Sequence, residues 1–291
     1  MSYGTVLIRF AFRAPRRMMP AMNACAAPKH DIPDMEPHFR AFSEYARSFY
    51  SGEADHDFHL DLKAEHSRNV FAHARGIADG EEFFLADHGR RSALLLAALY
   101  HDLGRFRQYD AYGTFSDAQS VNHAHLSVRE MKRLRLLDGE DERVRGLALA
   151  GIVLHNRFAV PRSMDADALA VAKAVRDADK LDILRVMAAH LTGEGPVDPV
   201  VALGTVASPR VSPAVLAAFS ERRLGFYGDM ATTTDFKLLV CGWLYDLNYA
   251  FSRKTAAGEG YLAAILESLP DTDELAPHVA AYRKDLAAHA A

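Results

Sequence analysis

The feature that most constrains the fold is the spacing of apolar residues, which recur every three or four positions in one segment after another. This spacing places apolar side chains on one face of an α-helix. Turn-forming pairs such as Asp79-Gly80 and Asp138-Gly139 separate the segments. The pattern predicts helices over 36–50, 60–79, 89–100, 123–137, 141–154, 165–191, 213–224, 235–253 and 261–269.

Strand-like alternation of apolar and polar residues is rare, and its best example is the stretch 197–206. We therefore expect an all-α helical bundle in a single domain over 31–291, with a C-terminal helical extension over about 200–291. The first 30 residues contain five basic residues and no acidic one. We interpret residues 1–30 as a disordered tail or as an extension from an upstream start codon.

The composition excludes several classes of protein. Hydrophobic residues make up 49% of the chain and the formal net charge is −4, which argues against a disordered chain. The mildly acidic balance argues against a nucleic-acid polymer as partner. No apolar run reaches the roughly 18 residues of a membrane span. Two cysteines, Cys25 and Cys241, cannot form a disulfide framework, so we expect a cytoplasmic protein.

The residues that point to chemistry begin with the adjacent pair His101-Asp102, which follows an apolar segment. An imidazole and a carboxylate can hold one metal ion together, and the two carboxylate oxygens can also bridge two ions. Further residues of metal-binding type stand 22 to 35 positions apart: His66, His123, His155 and Asp179. Because this spacing is too wide for one helix, we expect several helices of a bundle to send ligands inward.

The order His, His-Asp, His, His, Asp resembles that of the HD-domain superfamily of metal-dependent phosphohydrolases. The resemblance covers a core of roughly residues 60–190. The superfamily's name-giving pair matches His101-Asp102, and its wider motif matches the run HDLGR, which ends at Arg105. The last ligand of the family precedes a basic residue, as Asp179 precedes Lys180 here. The sequence also resembles an uncharacterised bacterial group of HD proteins through FRQYDAYGTF, SVNHA, LHNR and RDADKLDI.

The resemblance implies a minimal metal site and two extra histidines of a binuclear branch. The minimal site is His66, His101, Asp102 and Asp179, and the extra histidines are His123 and His155. We expect two divalent transition metal ions, with Asp102 as the bridging catalytic carboxylate and no organic cofactor. Imidazole and carboxylate ligands suit Fe, Mn, Ni, Co or Zn.

The substrate implied by the resemblance is a small phosphorylated molecule, a phosphomonoester or phosphodiester such as a nucleotide. Arg105 and Lys180 are the candidates to bind its phosphate; alternatively, they form ion pairs with Asp102 or Asp182. Ser127 stands where the cyclic di-GMP-degrading branch has glycine, which argues against that substrate. The sequence leaves the oligomeric state open and allows a homo-oligomer.

For some residues near the predicted ligands, the sequence allows two interpretations. His125 competes with His123, but the two point to different faces of a helix and the family pattern favours His123. His73, Asp177 and Asp182 either orient ligands or belong to the core or surface. The aromatic residues around Asp246 either stack on a nucleobase or pack in the core: Trp243, Tyr245 and Tyr249.

Two other functions compete with hydrolysis. A di-iron oxygenase could use the same six ligands, because members of the superfamily activate O₂ with them. A non-catalytic sensor would require a degenerate site, and all six positions are intact here. Dependence of the reaction on O₂ and on iron would separate the oxygenase from the hydrolase.

Overall fold

A computed structural model of the chain describes residues 34–157, 161, 163–193 and 205–291. This part of the chain contains thirteen α-helices and no strand, so the predicted all-α class is confirmed. The helices are α1 Glu36–Arg47, α2 Ala54–Gly80, α3 Glu82–Leu85, α4 His88–Tyr100, α5 Gly104–Tyr112, α6 His123–Arg133, α7 Glu142–His155, α8 Ala166–Leu191, α9 Pro213–Ser220, α10 Thr233–Cys241, α11 Ala250–Gly258, α12 Tyr261–Glu267 and α13 Ala276–Ala290.

Two of the sequence predictions fall largely outside the described residues. The segment 1–30 lies wholly outside them, and only the last two residues of the strand-like stretch 197–206 are described. Val206 pairs with Thr232 in an isolated bridge, in which Val206 N donates to Ala231 O over 3.1 Å. The division into a core and an extension near residue 200 stays a prediction.

Helix α4 lies at the centre of the bundle, with α2, α7 and α8 packed around it. All of its residues from 91 to 100 are buried, as expected of a helix surrounded by others. Asp87 caps its first turn by accepting a hydrogen bond from a backbone N–H over 2.9 Å. Because α4 ends at Tyr100, His101 and Asp102 directly follow the central helix and lie in the core.

Helix α8 belongs to both hydrophobic clusters of the described structure. Its residues up to Ala178 belong to the same cluster as α1, α2, α4 and α7, whereas those from Leu181 onward belong to the cluster formed with α9 to α13. Asp179 therefore lies where the two clusters meet. The helices that continue beyond residue 184 complete the second cluster and fix the C-terminal half of α8.

The prediction of one helix over 235–253 is wrong. The structure divides this segment into α10, a 3-10 helix over Gly242–Asp246 and α11. The carboxylate of Asp177 on α8 accepts hydrogen bonds from the backbone N–H groups of Asn248 (2.8 Å) and Tyr249 (3.1 Å). Since these N–H groups bond to α8, they do not continue the helix, and the chain turns.

Helix α5 approaches α6 so closely that only glycine fits at its first position. A Cβ on Gly104 would lie 2.5 Å from both His123 O and Ser127 N. Gly104 N donates to Ser127 Oγ, and Ser127 Oγ donates to His101 O, each over 2.8 Å. The serine therefore ties the turn that carries His101 to the start of α6.

We expect Gly104→Ala to destabilise the protein by about 1–3 kcal/mol, because the added Cβ meets backbone atoms that have no room to move. Gly146→Ala on α7 is the matched control. Nothing lies within 4 Å of its added Cβ, so alanine's higher helix propensity should stabilise the fold by up to about 1 kcal/mol. Urea unfolding followed by circular dichroism measures both changes. Equal stability of G104A and wild type would contradict the close α5–α6 approach.

Candidate metal centre

The structure brings all six predicted ligand residues into one cluster at the core of the bundle. Four of them are buried, and the other two, His66 and Asp179, are 11% and 20% exposed at their side chains. The contributing elements are α2 with His66, the turn after α4 with His101 and Asp102, the start of α6 with His123, the end of α7 with His155, and α8 with Asp179.

Every imidazole of the cluster has an acceptor at Nδ1. Nδ1 of His66 lies 2.7 Å from Oδ2 of Asp182, and Nδ1 of His123 lies 2.8 Å from Oδ2 of Asp117. The Nδ1 atoms of the other two rings lie 2.8 and 2.6 Å from backbone carbonyl oxygens of α4 and α7. Because these oxygens only accept, Nδ1 carries the proton, and Nε2 of a neutral ring presents its lone pair.

The Nε2 atoms face one another in two pairs. They lie 3.3 Å apart between His66 and His101, and 3.0 Å apart between His123 and His155. Two lone pairs cannot form a hydrogen bond, so each pair requires a proton or a metal ion. Two nitrogens bound to one ion at about 2.0–2.1 Å, with about 90–110° between the bonds, lie about 2.8–3.4 Å apart. The donor set therefore fits metal ions.

Asp102 faces the two pairs with different oxygens. Its Oδ1 lies 3.3 Å from Nε2 of His123, whereas its Oδ2 lies 3.8 Å from Nε2 of both His66 and His101. Asp179 adds its Oδ1 at 3.1 Å from Nε2 of His66. The cluster thus has a first half and a second half that share Asp102. The first half comprises His66, His101 and Asp179, and the second half comprises His123 and His155.

Two basic side chains approach the shared carboxylate. Lys63 Nζ donates to Asp102 Oδ2 over 2.8 Å, and Arg105 Nε donates to Oδ1 over 3.3 Å. Burial would raise the pKa of Asp102, but Lys63, His101 and Arg105 outweigh burial and hold that pKa well below its usual value. Asp102 therefore remains a charged carboxylate at neutral pH although it is buried.

The protonation of the imidazoles follows from their surroundings. Burial lowers the pKa of His101 and His123, and burial together with these two rings lowers the pKa of His155 to about 3. His66 differs from them. Burial would also lower its pKa, but hydrogen bonds to two carboxylates of α8 outweigh burial and raise the pKa to about 9. Three of the rings are therefore neutral at pH 7.

Asp182 and Asp177, which the sequence left with two interpretations, have different roles. Asp182 accepts hydrogen bonds from His66 Nδ1, from Asn69 Nδ2 at 3.0 Å and from Arg185 Nε at 3.2 Å. It therefore orients a residue of the first half. Asp177 instead holds the chain segment that contains Asn248.

Asp117 contacts the cluster and was not among the residues expected from the sequence. It accepts hydrogen bonds from His123 Nδ1, Gln108 Nε2 (3.1 Å) and Asn156 Nδ2 (3.3 Å), so it orients a residue of the second half. Its only signal in the sequence is a carboxylate six residues before His123, within the run FSDAQSVNH. No spacing rule distinguishes that carboxylate from a surface aspartate.

The two predicted phosphate-binding residues are both engaged with protein groups. Arg105 donates to Asp102, to Asp117 (3.0 Å) and to a backbone carbonyl, and its side chain is 3% exposed. Lys180 forms an ion pair with Asp246. For Arg105, the ion pair with Asp102 is the alternative that the sequence had left open. Their binding of a substrate stays a prediction.

The remaining candidates lie outside the cluster. His125 is exposed, whereas His123 joins the cluster, and His73 is half-buried on α2. Of the aromatic residues near Asp246, Trp243 is buried, and Tyr245 and Tyr249 are half-buried. Tyr249 donates to Ala170 O over 2.8 Å, and Trp243 is buried in the second hydrophobic cluster. These contacts favour core packing over nucleobase stacking.

Comparison with known proteins agrees with this geometry. Residues 64–184 match the family model described as HD domain. The chain contains an HD domain. All six cluster residues fall within the match, and HD domains are generally metal-dependent phosphohydrolases. Neither the search of curated proteins nor that of solved structures found a match. Within the described residues, no helix of the HD domain or beyond it is long and apolar enough to cross a membrane.

We expect Asp182→Asn and Asp117→Asn to weaken metal binding in different halves of the HD-domain centre. Each substitution removes the negative charge that orients one imidazole, and losses of this kind cost about 10- to 100-fold in metal affinity. Calorimetric titration with Mn²⁺ should show D182N weakening one binding event and D117N weakening the other. If both variants weaken the same event, the division into two halves is wrong.

Metal affinity should also depend on pH through His66. After a chelator has removed metal, His66 is protonated below its pKa of about 9, and a metal ion must displace the proton at Nε2. Competition by the proton weakens as pH rises, so the affinity of the first half for Mn²⁺ should increase about tenfold per pH unit between pH 7 and 8.5. At pH 7, the heat of Mn²⁺ binding should differ between two buffers of different ionisation enthalpy, because the buffer takes up the released proton. A pH-independent affinity would contradict the assignment of His66 as a ligand.

Proposed function

We propose that this chain is a binuclear metal-dependent phosphohydrolase that cleaves a small phosphomonoester or phosphodiester, such as a nucleotide. The observation that carries the proposal is the arrangement of two pairs of imidazole Nε2 atoms around the two oxygens of Asp102. His66, His101 and Asp179 would hold one ion and His123 and His155 a second, with Asp102 available to both. The match to the HD domain supports the same reaction class.

The proposed ligands are the six cluster residues, and the proposed metals are divalent Fe, Mn, Ni, Co or Zn, since imidazole with carboxylate suits these ions. When bound, such ions lower the pKa of a water molecule and neutralise charge on phosphoryl oxygens. We expect no organic cofactor. The proposal places the protein in the cytoplasm and involves neither a membrane nor a nucleic-acid polymer.

The chain's own residues position these groups. Lys63 and Arg105 approach different oxygens of Asp102, so they hold the carboxylate with one oxygen toward each half. Asp182 and Asp117 hold two imidazoles by hydrogen bonds at Nδ1, which keeps Nε2 directed into the centre. Substrate would enter beside Asp179, which is 20% exposed, while the second half stays buried.

The test combines metal analysis with phosphate release. Protein reconstituted anaerobically should hold about two ions per chain. Equally under argon and air, it should either release phosphate from phosphomonoesters or convert phosphodiesters into an alcohol and a phosphomonoester. Asp102→Ala should lower phosphate release at least about 100-fold, because both halves lose a shared ligand. His123→Ala should reduce the metal content to about one ion.

His125→Ala is the matched control for His123→Ala, because His125 is exposed on the same helix. It should keep both metal content and activity. A wild-type protein that never holds more than one ion would contradict the binuclear centre. Two irons with O₂ uptake and no phosphate release would assign the chain to the di-iron oxygenases instead. Bound metal with neither reaction would favour a sensor.

A further inference from the structure

Lys63 lies at the centre but was not among the predicted site residues. It precedes His66 by three positions on α2, so the two side chains share one face of the helix. Its ammonium nitrogen is 2.8 Å from Asp102 Oδ2, the oxygen that faces the first half. It also lies 5.6 Å from the centre of the Phe115 ring. Lys63 is one residue outside the segment that matches the HD domain.

The side of the centre that reaches solvent is the side where Lys63 lies. Its side chain is 13% exposed, close to the values for His66 (11%) and Asp179 (20%). The side chains of His123 and His155 are at most 2% exposed. An anion that enters the centre from solvent therefore meets the first half and Lys63 before the second half.

Lys63 also differs from the other two basic residues in how many of its N–H protons donate to protein groups. Arg105 donates to Asp102, Asp117 and a backbone carbonyl, and Lys180 pairs with Asp246. An ammonium group has three protons. Among the described residues, Lys63 Nζ donates one hydrogen bond, to Asp102. Two protons therefore remain for a ligand while that bond holds the side chain in place.

We propose that Lys63 is a substrate-binding residue whose ammonium group donates to a phosphoryl oxygen of the substrate on the solvent-facing side of the first half. This inference rests on the proposed function and names the residue that binds the phosphate. A lysine suits this position because its compact ammonium can contact Asp102 and an anion together. The competing explanation is that Lys63 only offsets the buried charge of Asp102, and it would then affect metal content rather than phosphate binding.

The experiment compares Lys63→Met and Lys63→Arg with wild type, all loaded with Mn²⁺. Elemental analysis measures metal content, calorimetry measures the affinity for inorganic phosphate, and steady-state kinetics separates KM from kcat. Loss of a charge-assisted hydrogen bond corresponds to about 10- to 100-fold in affinity. At Mn²⁺ concentrations that fill the centre of both proteins, K63M should therefore weaken phosphate binding and raise KM by that factor. K63R keeps the charge and should retain most of the affinity.

Lys173→Met is the matched control, because Lys173 is another half-buried lysine and lies on α8. It should leave phosphate affinity unchanged. If K63M does not fold, Lys63→Gln, which keeps a polar group beside Asp102, provides the same comparison. Wild-type phosphate affinity in K63M or K63Q would overturn the inference. A loss of metal that fully accounts for the weaker binding would also overturn it.

The outcomes separate this inference from the proposed function. If wild type binds phosphate through Lys63 but hydrolyses no phosphoester, the anion site stands and the hydrolase proposal fails. If wild type hydrolyses a phosphoester and K63M has the same KM, the hydrolase proposal stands and the role of Lys63 fails. If loaded wild type neither binds phosphate nor releases it, both are overturned.

Discussion

A carboxylate buried in a protein core is unfavourable unless cations or hydrogen bonds compensate for its lost hydration, and Asp102 is such a carboxylate. Lys63 contacts one of its oxygens, Arg105 approaches the other, and imidazoles surround both. The positions of α2, α4, α5 and α6 are therefore coupled to one charge. The Gly104–Ser127 contact strengthens this coupling, because it ties the turn that carries Asp102 to the start of α6.

The HD-domain helices do not position the centre alone. Asp179 lies where the two hydrophobic clusters meet on α8, and residues on both sides of it contact the segment 246–249. Asp177 accepts hydrogen bonds from Asn248, and Lys180 pairs with Asp246. These contacts place the segment after α10 against α8 beside a proposed ligand. Packing in the C-terminal half can therefore influence the geometry of the first half of the centre.

The centre also has one buried side and one side that reaches solvent. The second half is enclosed by α6 and α7, and the rings of His123 and His155 are held at Nδ1 by Asp117 and a backbone carbonyl. The first half reaches solvent at His66 and Asp179, with Lys63 beside them. Buried, hydrogen-bonded histidines on the inner side and a cation on the outer side suit an anionic substrate that approaches from one direction.

The sequence by itself determined the helical class, the HD-domain resemblance and the six residues that meet at the centre. Apolar periodicity is a local property, and the resemblance depends on residue order, so both can be seen without coordinates. The single helix predicted over 235–253 was wrong because hydrogen bonds to Asp177 redirect the chain, which no local pattern reveals. Only the tertiary structure decided that Asp117 orients His123, that Arg105 is bound by protein groups and that Lys63 lies at the solvent-facing side. Those roles depend on which side chains long-range packing brings within hydrogen-bond distance, and sequence spacing does not encode that distance.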